Sequence, residues 1–168
     1  MENRVTKNLI TSLNSNEVFV FGSNEDGFHG AGAAGFAFRY DTKCNWRNDK
    51  FFNEAIKELE NGNHKIGRYA IFGIPSGPMS GSEGKSYGII TIKKPGLKRS
   101  RSLSEIHKDV EQFLYYAKTK PELNFLVTEI GCNLAGYHVS EIAPLFKRAM
   151  SMSNIYLPQS FWDELNNL

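Results

Sequence analysis

The chain has 168 residues, of which 40% are hydrophobic and 23% charged, a balance typical of one globular domain, residues 1–168, that excludes disorder as the state of the whole chain. A formal net charge of +2 is too small to draw nucleic acid or membrane to the surface at large. The two cysteines, Cys44 and Cys132, exclude a disulfide framework and lack the close spacing of a zinc site.

Taken in chain order, the opening residues Met1, Glu2, Asn3 and Arg4 are polar and carry no apolar leader, and no run approaches 18 apolar residues. A cytoplasmic protein with reduced thiols and no membrane partner is the expectation. Residues 17–21, Glu-Val-Phe-Val-Phe, predict a buried strand ended by Gly22. The glycine-rich stretch 22–35 follows, with its alanines predicting a helix start in the second half. Asp49 is placed to cap a helix that carries Phe51, Phe52, Ala55, Ile56 and Leu59 on one face and stops near Gly62.

Residues 69–74 and 87–92 read as strands, separated by a loop containing Pro75, Gly77, Pro78, Gly81 and Gly84. Ser102 and Glu105 have capping-box spacing ahead of a helix striped with Leu103, Ile106, Val110, Phe113, Leu114 and Ala117. Residues 125–130 predict another strand. A last long helix is expected near Ser140, with Pro144 in its tolerated first turn, and a short one capped by Ser160. Strands alternating with helices argue for one α/β layer structure, in which ligands sit at the carboxyl ends of strands.

Three phosphate-binding patterns compete. Residues 30–35 match the spacing of a dinucleotide fingerprint, but residues 23–29 intervene after the strand and no second strand ends in an acid at the required distance. Gly84, Lys85 and Ser86 resemble the end of a P-loop, yet the opening glycine would fall at Met79 and a strand follows where a helix is required. The third pattern pairs the strand–loop–helix at 21–35 with that at 130–140. Glycine and alanine leave main-chain N–H groups uncovered there, so two such loops can grip one diphosphate.

The run Val-Phe-Gly-Ser-Asn at 20–24 with Gly27, His29 and Gly-Ala-Gly-Ala-Ala at 30–34, followed by Gly-Cys-Asn-Leu-Ala-Gly-Tyr at 131–137, resembles the macro domain, especially a phage and bacterial macro-like branch. That resemblance implies a three-layer α/β/α fold with a mixed central sheet and a site for ADP-ribose. It assigns Asn24 to the distal ribose, and Gly22, Ser23, Gly27, Gly30, Ala31, Gly32 and Ala33 to the first loop. Gly131, Cys132, Asn133, Leu134, Ala135, Gly136 and Tyr137 become the diphosphate loop, with Tyr137 near the ribose. The chain has Ser-Asn-Glu-Asp at 23–26 where a standard macro domain has Asn-Ala-Ala-Asn, and no upstream Asp-Ile pair for the adenine amine.

Hydrolysis of an ADP-ribosyl linkage would use Asn24 to orient ribose hydroxyls and Asp26 or His29 to direct a water. The bland alternatives are a turn residue at Asp26 and a packed imidazole at His29. Cys132, near His138, reads either as a nucleophile or, more simply, as a small residue lending its N–H to phosphate. His64 and His107 read as surface residues, Trp46 and Trp162 as packing. No metal or cofactor is expected.

Six basic residues and no acid lie between Gly84 and Ser104, leaving fourteen basic against eighteen acidic residues elsewhere. The alternative function is therefore nucleic-acid binding through the basic loop 93–101, whose charge reaches phosphates but which lacks interleaved aromatics for base stacking. ADP-ribose, or an ADP-ribosylated protein or nucleic acid, is the expected partner.

Overall fold

A computed structural model describes residues 3–39 and 48–168; Cys44 and Trp46 lie outside the described residues. Strand β1 (Glu17–Asn24) is apolar at successive positions because both of its faces are covered. Phe19 and Phe21 pack with Ala34 and Ala37 of α1 (Gly32–Phe38). Val18 and Val20 face the other way, onto Ile106, Val110 and Phe113 of α3 (Leu103–Lys118). Beside α1, Phe52 and Ala55 of α2 (Lys50–Glu60) close over Phe38 and Phe72. The result is the expected three layers.

The sheet runs β2-β3-β1-β4-β5, with β2 (Gly77–Ser80), β3 (Lys85–Ile92), β4 (Asn124–Val127) and β5 (Ile155–Tyr156). β1 pairs in parallel with β3 and β4, β4 in parallel with β5, and β2 is antiparallel to β3. The sheet is therefore mixed, and β3, β1 and β4 all deliver their following loops to one edge. A parallel bridge between Val5 and Leu157 brings the N-terminal segment to the same side. Thr6 N donates to Leu157 O at 2.9 Å, and the Trp162 indole donates to Arg4 O at 2.7 Å. No helix among the described residues is long and apolar enough to cross a membrane.

Local capping behaves as the sequence dictates. Asp49 accepts from Phe51 N at 2.8 Å at the head of α2. Ser102 and Glu105 exchange hydrogen bonds of 3.1 and 3.0 Å at the head of α3.

Several elements differ from expectation. Residues 69–74 form no strand: Tyr69 and Ala70 both donate to Ala37 O, Arg68 to Phe38 O and Gly73 to Gly27 O. The run is apolar because Tyr69, Ala70 and Phe72 are buried, but its amides do not enter the sheet: those of Tyr69 and Ala70 complete a C-terminal carbonyl of α1, that of Phe72 goes to Lys65 O and that of Gly73 to Gly27 O. The strand is β2, inside the expected loop, and it tolerates Pro78 because it lies at the sheet edge. β4 ends at Val127 rather than Ile130. The expected last long helix is a short α4 (Val139–Ile142) continued by a 3-10 helix (Ala143–Ser151). α5 (Gln159–Asn166) follows Pro158, with Ser160 in its first turn donating to the Glu129 carboxylate.

Candidate functional site

The loop after β1 is organised by Asn24, which is buried at 5% exposure. Its Oδ1 accepts from Asp26 N at 3.2 Å and Phe28 N at 3.0 Å, and its Nδ2 donates to Phe28 O at 2.9 Å. Asn24 therefore clasps its own loop, and the ribose-facing role assigned to its side chain gives way to a scaffolding one. Gly22 and Ser23, expected in the loop, lie in β1 opposite Ile89 and Ile90. Gly27 turns inward at φ +68, where an added Cβ would stand 2.6 Å from Gly73 C.

His29 is fully buried, edge-on to Phe21 with ring centres 5.2 Å apart. Its Nε2 lies 3.0 Å from Ile74 O, which assigns the proton to Nε2 and leaves Nδ1 as a buried nitrogen without a hydrogen-bond partner. Burial pushes the imidazole down to about 4, against the pull of hydrogen bonds to the main chain of Ile74 and Ile71. It is a packed neutral ring shielded from water, so its place in the catalytic set is corrected. Asp26 is exposed and alone of the three proposed catalytic side chains meets solvent freely.

The cradle itself is bare. Gly30 is buried while Ala31 and Gly32 are exposed, α1 has no side-chain cap, and the N–H groups of Gly30, Ala31, Gly32 and Ala33 find no acceptor among the described residues.

The loop after β4 is closed at its base by Tyr137 N donating to Gly131 O at 3.1 Å. Gly131 is left-handed at φ +76 and pressed on Ile142, where a Cβ would come within 2.6 Å. Asn133 is one of two non-glycine residues with positive φ among the described residues, at +53. Asn133 and Leu134 are exposed, and their N–H groups also lack acceptors among the described residues. Cys132 is buried, and desolvation, reinforced by Glu129 and Glu141, pushes its thiol up to about 11; the nucleophile reading fails. Tyr137 is buried too, its hydroxyl donating to Arg101 O and its ring covered by Arg99 at 4.6 Å, so it braces the loop and does not present a face to a sugar. Ala135 is buried and Gly136, at φ +86, lies against Lys98.

The two loops meet. A Cβ on Gly32 would lie 3.1 Å from Leu134 Cδ1, and Leu134 is 56% exposed, a side chain that solvent lets swing aside.

The basic loop, which the sequence offers as an accessory feature able to draw an ADP-ribosylated substrate to the pocket, lies beside this site, and a flanking cavity that sequence reasoning does not reveal lies on its other side. In the basic loop after β3, Lys93 O accepts from Glu25 N at 3.2 Å and Arg99 N donates to Ala135 O at 2.8 Å. Arg99 holds Glu141 through two hydrogen bonds of 3.1 and 2.9 Å. Arg101 pairs with Asp109, with Glu25 at 3.4 Å, and with Ile90 O at 2.7 Å. On the other flank, a cavity of about 320 Å³ is lined by Thr6, Lys7, Asn8, Glu129, Gln159 and Ser160. No local motif unites these six residues; the β4–β5 pairing and the Val5–Leu157 bridge do. Another cleft, of about 430 Å³, lies at the opposite end of β1 and β3. His64 and His107 are exposed and Trp162 is buried. Among the described residues no three His, Cys, Asp or Glu side chains gather as metal ligands would.

No family model matches the chain, and no curated protein matches it. Among solved structures it is similar to a protein of unknown function from Bacteroides thetaiotaomicron, at 12% identity over 90% of this chain and 88% of that chain, with a TM-score of 0.49.

Proposed function

We propose that this chain is a macro-like, ADP-ribose-binding domain, which takes ADP-ribose or an ADP-ribosyl derivative along the carboxyl edge of its sheet. The observation that carries the reading is the contact of Gly32 with Leu134, which joins two loops of uncovered N–H groups at the ends of adjacent parallel strands. A diphosphate entering there displaces the Leu134 side chain and is held by main-chain donors, which need no lysine. The distal ribose then lies toward Asp26 and Ala31. The base lies toward the cavity behind Glu129, two strand intervals or about 10 Å from β1.

Binding is favoured over hydrolysis because His29 and Cys132 are both buried and uncharged. A hydrolytic version of the same site rests on Asp26 as the group that directs water. The cytoplasm, where a free thiol such as Cys132 stays reduced, is the compartment this reading implies.

Thermal unfolding with increasing ADP-ribose tests the reading. At 100 times the dissociation constant the ligand adds about 2.7 kcal/mol, a rise of roughly 5–10 °C for a domain of this size. An unchanged midpoint at millimolar ADP-ribose removes the proposal. Loss of any ADP-ribosyl bond cleavage in Asp26→Asn, with binding retained, separates the hydrolase from the reader.

A further inference from the structure

The basic segment divides sharply once its contacts are known. Lys85 lies at the far end of β3 with its Nζ on Ser15 O at 3.0 Å. Arg99 and Arg101 are spent on Glu141, Asp109 and Glu25, ion pairs that fasten the loop to α4, to α3 and to the loop after β1. Lys93, Lys94 and Lys98 remain, all exposed and without an ion pair among the described residues. Glu105 is near enough for Lys93 to help lower its carboxyl, but that carboxylate is held first by Ser102 in the capping box.

The three ammonium groups are not on a loose tail. Leu97 N donates to Lys94 O at 3.1 Å across Pro95 and Gly96, the latter at φ +82, as a proline–glycine reverse turn requires. Ser100 Oγ fixes Lys93 N at 2.8 Å, and the Lys98 stem lies against Gly136 of the diphosphate loop. A fixed turn thus sets three unpaired positive charges beside the candidate site, outside the main-chain cradle.

We infer that the nucleotide group recognised by this domain is carried on a polynucleotide, whose backbone phosphates cross the rim formed by Lys93, Lys94 and Lys98. This rests on the ADP-ribose reading and names the carrier. Lysine ammonium groups are point charges that need no fork geometry and can follow successive backbone phosphates, and both arginines of the loop are already engaged; an acidic peptide offers the same sign of charge and is the competing outcome of the test. Contacts of this kind are sequence-independent and salt-sensitive, and they demand no aromatic platform in the loop.

The test compares free ADP-ribose, a short single-stranded DNA carrying ADP-ribose on its terminal phosphate, and an ADP-ribosylated acidic peptide, against the wild type and K93Q/K94Q/K98Q. Glutamine keeps the side-chain stems and every main-chain bond of the turn. At low salt the DNA-linked probe is expected to bind the wild type about tenfold tighter than free ADP-ribose. That advantage disappears in the triple variant, with the plot of log affinity against log salt flattening by about two. Free ADP-ribose binds both proteins equally. An unchanged salt slope in the variant, or a peptide probe that gains as much as the DNA probe, overturns the inference while leaving ADP-ribose binding in place. Failure of free ADP-ribose to bind the wild type removes the underlying reading and the inference with it.

Discussion

His29 sits in a glycine-rich loop at a sheet edge, where a histidine invites a catalytic reading, yet its ring is sealed between Phe21 and Phe72. Its folded-state value of about 4 lies below the ordinary 6.5, so the unfolded chain binds a proton that the folded one refuses. The stability contributed by the neutral ring is complete above pH 6.5 and is lost as pH falls from there toward 4. For the whole interval the loss amounts to roughly 3 kcal/mol. Urea unfolding of wild type and His29→Gln at pH 7 and pH 4.5 reads it: the glutamine amide keeps a donor for Ile74 O, and the variant's stability falls less over that interval. Equal losses in both proteins would show that the imidazole does not titrate as a buried group. The sequence leaves His29 open between a catalytic and a packed imidazole, and the fold places it as the packed one. His29 and Tyr137 have partners distant in sequence, Ile74 O and Arg101 O, and such partners decide a side chain's direction, whereas Asn24 is held by Asp26 and Phe28 within its own loop.

Among the elements, legibility followed how local the signal is. The caps at Asp49 and at Ser102 with Glu105 depend on neighbours within a few residues, and the strand at 87–92 is legible from its own β-branched and apolar run although its ladder partner β1 is distant in sequence. Residues 69–74 were misread because burial of Tyr69, Ala70 and Phe72 produces the same apolar run whether the amides join a ladder or, as here, go to α1 and to loops. That segment is what holds the first loop in place. Gly73 N donates to Gly27 O at 2.9 Å, and the absent Cβ of Gly27 is where Gly73 and Ile74 main chain pass, at 2.6 and 2.8 Å. Gly27→Ala must therefore push two backbones apart and adopt a left-handed conformation as well. The expected cost is about 2–4 kcal/mol in unfolding free energy, with ADP-ribose affinity reduced because the cradle shifts. A variant as stable as wild type would mean that the two segments do not approach so closely.

Across the whole molecule, the sequence holds the α/β class but not the strand order, and strand order decides which loops become neighbours. With β3, β1, β4 and β5 adjacent and parallel, the basic loop, the two glycine-rich loops and the N-terminal residues 6–8 line one edge, although they are spread along the chain from residue 6 to residue 137. Under the proposed reading, this placement offers an end for the base in a chain that lacks the Asp-Ile pair a macro-like site would use. In the cavity of about 320 Å³, Glu129 has one oxygen engaged by Ser160 Oγ, leaving its other oxygen as an acceptor for an exocyclic amino group. Inosine diphosphate ribose presents a carbonyl where ADP-ribose presents that amino group, so it sets an acceptor against an acceptor. Glu129 is exposed, so water screens the mismatch and only the net worth of one hydrogen bond is lost, about 0.5–1.5 kcal/mol; the wild type should prefer ADP-ribose by roughly two- to tenfold. Glu129→Ala should weaken ADP-ribose binding and bring the two affinities together, while inosine diphosphate ribose binds the variant at least as well as it binds the wild type. Calorimetric titration of both ligands into both proteins measures the four affinities. If the preference survives in Glu129→Ala, the base is read elsewhere and the nucleotide does not extend from β1 across β4 into the cavity.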